Sequence, residues 1–161
     1  MKKTMIAVAL LAGSTMGGMV NAADGTINFV GTITADACTV IPGTGNQTVT
    51  MGTISQGALP NVGSVAAPTK FNIVLTNCPA AVTNASVKFD GPIDSDNNAL
   101  LKVTAGANAA TGVAVGLYED DAATLVPVGQ ASLSKPLSST ADTTFEFFAK
   151  YVATGPVVAY C

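Results

Sequence analysis

The sequence has no histidine and no tryptophan. It has no arginine either, so all 7 basic residues are lysines. Without an imidazole, serine or cysteine triads built on histidine are excluded, and so are the common zinc sites. Charge of either sign is scarce, at 11% of residues. Acids outnumber bases by 10 to 7, so nothing here attracts nucleic acid or an anionic membrane. Long hydrophobic runs are missing too. The one apolar stretch near the start, Ile6 to Ala12, is too short to span a bilayer, which takes about 20 residues.

What is present begins with an export pattern. Lys2 and Lys3 precede that apolar stretch, and Val20-Asn21-Ala22 offers the small-x-Ala signature of signal cleavage. A cut after Ala22 leaves 139 of the 161 residues, one domain's worth. That remainder keeps five lysines and all ten acids. An exported chain meets an oxidising compartment, where Cys38 and Cys78, each beside a strand-like run, are expected to form a disulfide. Closing that loop would contribute about 3–4 kcal/mol, mainly by restricting the unfolded chain. Cys161 is the odd cysteine: a free thiol, an intermolecular cross-link, or the sign of a C-terminus that is not the natural one.

The periodicity is that of strands. Residues 25–34 (GTINFVGTIT) put Ile27, Phe29, Gly31 and Ile33 on one face. Residues 47–54 (QTVTMGTI) alternate in the same way, and 56–68 read as a connection. Residues 70–76 set Phe71, Ile73 and Leu75 against Lys70, Asn72 and Val74. Shorter strands are expected at 85–90 and 99–104, around a polar turn at 94–98. Residues 113–118 and 124–128 predict a hairpin whose second arm Pro127 demotes to an edge. Residues 143–152 give the clearest alternation, with Phe145, Phe147, Ala149 and Tyr151 on one face. No segment sustains a helical period, so the expected fold is an all-β sandwich.

Signatures of chemistry are weak. Ser132 to Lys135 matches Ser-x-x-Lys but lacks the helical setting and partner motifs of a nucleophile site. Asp94 to Asn98 lacks the glycine and the closing glutamate of a calcium loop. No enzyme activity, cofactor or metal is expected. The unusual element is 25–34, an alternating strand with nothing upstream to pair with. It is either an ordinary first strand of the chain's own core or a strand offered to another molecule.

The segments ADGTINFVGTITADACTV, FNIVLTNCP, VAVGLYEDDAATLVPVG and TTFEFFAKYVATGPV, in this order, resemble the type 1 fimbrial subunits of the chaperone–usher pathway. The spacing of Cys38 and Cys78 is similar as well. The resemblance implies an incomplete immunoglobulin-like β-sandwich, completed by a strand from a neighbouring subunit. It implies that 23–34 is the donor extension, with Ile27, Phe29 and Ile33 inserting into a neighbour's groove and Gly31 where a pocket is shallow. It implies a structural role in a fimbria with no catalysis, and as partners other pilin subunits, a periplasmic chaperone and an outer-membrane usher. A major or shaft subunit fits best, and a minor adaptor or adhesive subunit is the alternative. In one respect the sequence departs from the family. A further turn and last strand are expected after Gly155, yet the chain ends at Pro156 to Cys161. It reads as C-terminally truncated, and the family's C-terminal chaperone signal is not transferred to Tyr160.

Overall fold

A computed structural model describes residues 37–106 and 109–159. The order of elements is β1 (Thr39–Val40), a 3₁₀ turn (Gln56–Ala58), β2 (Val65–Thr76), β3 (Asn84–Ala85), β4 (Leu101–Lys102), β5 (Thr111–Tyr118), β6 (Lys135–Pro136) and β7 (Thr143–Val158). Two antiparallel sheets result, one of five strands in the order β1-β2-β7-β5-β4 and one formed by β3 and β6.

β7 is the spine. Its sequence alternates large apolar and polar residues, so one face is apolar. Phe145, Phe147, Ala149 and Tyr151 are buried, whereas Thr144, Glu146, Phe148 and Lys150 are only half-buried. β7 pairs with β2 on one side and β5 on the other. Phe71 of β2 stands directly opposite Phe147, with ring centroids 5.7 Å apart. Phe89 meets Phe147 edge-on at 5.0 Å and Phe71 at 6.0 Å. This aromatic group anchors a core that also takes in Val49, Met51, Leu117 and Val126. Burying each large ring contributes about 1.5–3 kcal/mol.

Both long strands run further than their alternation suggests. β2 begins at Val65 rather than near Lys70 because a bulge absorbs Pro68. Ala66 pairs with Tyr151 and Thr69 with Ala149, so Ala67 and Pro68 together oppose Lys150 alone. Proline has no N–H for the ladder, and Ala67 takes a left-handed turn at φ 51° to carry the chain past it. β7 continues through Thr154-Gly155-Pro156 to Val158. Gly112 permits this: it sits at φ +71°, and a Cβ there would lie 2.3 Å from the Pro156 carbonyl oxygen.

Other expected strands are shorter. Residues 85–90 reduce to β3 plus a bridge between Lys88 and Ala131, and 99–104 reduce to β4. The hairpin after β5 forms, but its second arm contributes only a bridge between Tyr118 and Leu125, as expected of a segment holding Pro127. Residues 47–54 are extended yet belong to no strand.

Candidate assembly site

The disulfide expected between Cys38 and Cys78 is present. It lies beside the β1–β2 pair, where Thr39 faces Thr76 and Val40 faces Leu75. It therefore pins the start of the described chain to the end of β2. From there the backbone follows the edge of β2. The Ile41 amide donates to the Val74 carbonyl at 2.9 Å, and the Val74 amide donates to Thr44 Oγ1 at 3.2 Å. The Gln47 side-chain amide donates to the carbonyls of Thr44 at 2.8 Å and Asn72 at 2.7 Å.

Beyond Gln47 this edge contact ends. Residues 48–54 cross to the second layer, where Val49 and Met51 are buried and Ile54 is half-buried, while Thr48, Thr50 and Thr53 face out. That is strand alternation without a ladder. Among the described residues, no backbone–backbone hydrogen bond joins 48–54 to any other segment. One side-chain bond holds it: the Tyr151 hydroxyl donates to the Gly52 carbonyl at 3.2 Å.

The strand at 83–90 is paired on one side. The Thr83 carbonyl accepts from Leu137, Val87 from Ser132 and Phe89 from Gly129. Its second edge meets no described strand. Ala85, Val87 and Phe89 point inward, and Phe89 is buried. Segments 48–54 and 83–90 therefore both feed the one core, and 48–54 has no backbone ladder with any described residue. Such an edge is a template for an added strand, because backbone groups near a core demand partners.

The other sequence candidates have structural roles. Ser132 Oγ accepts from the Val87 amide at 2.9 Å and donates to the Leu133 carbonyl at 3.1 Å. Lys135 donates to the Thr144 carbonyl and lies 5.8 Å from the Phe145 ring. Neither touches the other as a nucleophile and base would. Asp94 Oδ1 caps its own turn, accepting from the amides of Asp96 and Asn97. Among the described residues, no three His, Cys, Asp or Glu side chains are placed to hold a metal ion. At the hairpin tip, hydrogen bonds from Thr124 and Ala123 hold the Asp121 carboxyl below its usual range, and burial pushes the Tyr118 hydroxyl up. Lys150 spans both, with its ammonium 4.6 Å from the Tyr118 ring centroid and a hydrogen bond to the Ala122 carbonyl.

Ile27, Phe29, Gly31 and Ile33 lie outside the described residues, as do Tyr160 and Cys161. Val49, Met51 and Phe89, which are buried in the core, were visible in the sequence only as parts of ordinary alternating strands.

Comparison with known proteins agrees with this architecture. A family model described as fimbrial protein matches residues 27–159. Long polar fimbria protein A of Salmonella typhimurium is 34% identical over 160 residues, covering 98% of this chain and 89% of that protein. The A chain of the type-1 fimbrial protein of Salmonella typhi is 31% identical over 160 residues, covering 96% and 87%. Among solved structures, a Burkholderia pseudomallei antigen and type I fimbria protein is 36% identical, with a TM-score of 0.60 over 86% of this chain and 90% of that one. The P pilus rod subunit PapA shares the fold at 20% identity, with a TM-score of 0.59 over 76% and 92%. An all-β, incomplete immunoglobulin-like sandwich with this disulfide and these relatives belongs to the fimbrial protein family, as a structural subunit of bacterial fimbriae.

Proposed function

We propose that this chain is a shaft-type subunit that polymerises by strand exchange, each copy donating its N-terminal extension to the open core of the next. The observation that carries the reading is segment 48–54, which turns Val49 and Met51 into the core yet has no backbone ladder with any described residue. The donor is residues 23–34 of a second copy. Ile27, Phe29 and Ile33 supply apolar side chains at period two, and Gly31 fits where the core leaves least room. Backbone bonds give continuity, while the alternation sets register, because a slip of one residue would turn the apolar face outward.

The remaining divisions follow. Residues 1–22 are the export signal, 23–34 the donor extension and 35–161 the sandwich domain. The subunit passes through the periplasm, where a chaperone covers the open core, and an outer-membrane usher delivers it to the surface fimbrium. The work is mechanical, with no catalysis.

The test is a sheared-fibre gel from cells expressing the chain with its chaperone and usher. Unheated samples should show a ladder of multimers that collapses to one band after hot acid. Deleting 23–34 should leave an exported domain and no ladder. A normal ladder from the deletion variant would overturn the proposal.

A further inference from the structure

The alternation along 48–54 breaks at one point. Val49 and Met51 are buried and Thr48 and Thr50 exposed, but Gly52 and Thr53 are both exposed and Ile54 is half-buried. The inward set thus moves from odd to even positions, as it does at a bulge. The cause is Gly52, which sits at φ +71°. A Cβ there would meet nothing within 4 Å, so the glycine serves the turn of the backbone and not close packing.

This kink is pinned from the first layer. Tyr151 is buried in β7, paired with Ala66 on one side and Val115 on the other. Its ring joins Val49 and Met51 in the core, and its hydroxyl donates to the Gly52 carbonyl at 3.2 Å. A strand laddered on both sides therefore fixes the position of an edge that has no ladder among the described residues. The turn at Gly52 takes its peptide groups out of line with those of 48–51, so a ladder added along 48–51 ends there.

We infer that Gly52 and Tyr151 form a register stop, which fixes how far the strand of a second copy slides along 48–51. It rests on the strand-exchange reading and goes beyond it by naming what sets the register. Alternation excludes only half of the slips. A slip of one residue turns the donor's apolar face outward, but a slip of two leaves it facing inward. Ile27, Phe29, Gly31 and Ile33 all share that face, so a two-residue slip sets Phe29 in the place of Gly31 or the reverse. Overpacking at one position and a void at the other penalise that slip only if the acceptor edge keeps its place. The Tyr151 hydroxyl holds it there.

The test places a photo-crosslinking residue at the exposed Thr50 in the full chain, expressed with its chaperone and usher. Adducts from illuminated fibres are mapped to the donor residue by mass spectrometry. In the otherwise unaltered chain they should centre on one position within 23–34. In Tyr151→Phe, which keeps the ring and loses the hydroxyl, adducts two residues away should rise about threefold to tenfold, the factor one neutral hydrogen bond supplies. An unchanged map overturns the inference and leaves strand exchange standing, as do adducts already spread over several registers in the unaltered chain. Should Tyr151→Phe give no ladder on an unheated gel, Gly52→Ala decides, because its added methyl meets no neighbour. A spread map there supports the stop; an unchanged map, or no ladder from either variant, overturns it. A ladder without any adduct in 23–34, or no ladder in the unaltered chain, removes the strand-exchange reading at this edge and the inference with it.

Discussion

The two layers of this sandwich are built from equally alternating sequence and end in different states. In the first layer, β7 has a hydrogen-bonded neighbour along each side, and Phe147 is fully buried. In the second, 48–54 buries Val49 and Met51 but has no backbone ladder with any described residue. Side-chain burial alone therefore does not make a strand. The backbone must also find partners, and for 48–54 the described residues do not supply a ladder.

Breaking the first layer should have the largest effect. Phe147→Ala removes the ring that meets Phe71, Phe89 and Phe145. The expected loss is about 3–5 kcal/mol, read by denaturant unfolding of the chaperone-released domain. A loss below about 1 kcal/mol would mean that the aromatic group is not the anchor of the fold.

A smaller effect is expected where β7 reaches its far end. Gly112→Ala must strain the positive φ and displace the Pro156 carbonyl. The expected cost is roughly 1–3 kcal/mol, with faster amide exchange at 154–158. An unchanged melting temperature would show that the end of β7 does not depend on this close approach.

The smallest effect belongs to the hairpin tip. Hydrogen bonds lower the folded-state value of the Asp121 carboxyl. Its contribution is therefore present above the unfolded carboxylate value and lost as pH falls through the lowered folded value. Asp121→Asn should slightly lower the melting temperature at neutral pH and flatten its acid dependence. Equal acid dependence in both proteins would count against these bonds. The group is exposed, so the difference should be small.

Much of the first layer was legible in the sequence. Phe71, Ile73 and Leu75 marked one strand, Phe145 and Phe147 another, and Cys38 with Cys78 gave the staple, whereas the pairing of the two strands came from the structure. The extra length of both strands was hidden by Pro68 and by Gly155-Pro156, which read as stops. A bulge at Ala67 and the glycine at 112 overcome them, and both are tertiary effects. The pairing of 48–54 was the least legible part. These residues show ordinary strand alternation, and only the lack of a backbone ladder with described residues distinguishes them. Ile27, Phe29, Gly31 and Ile33 fall outside the described residues.

Amide hydrogen exchange tests the central contrast most directly. It would compare sheared fibres with the monomer lacking residues 23–34. Amides of β7 should be protected in both. Those of 48–54 should exchange rapidly in the monomer and become protected in the fibre. Equal protection of 48–54 in both states would show that this edge needs no strand from a neighbour, and would contradict the account.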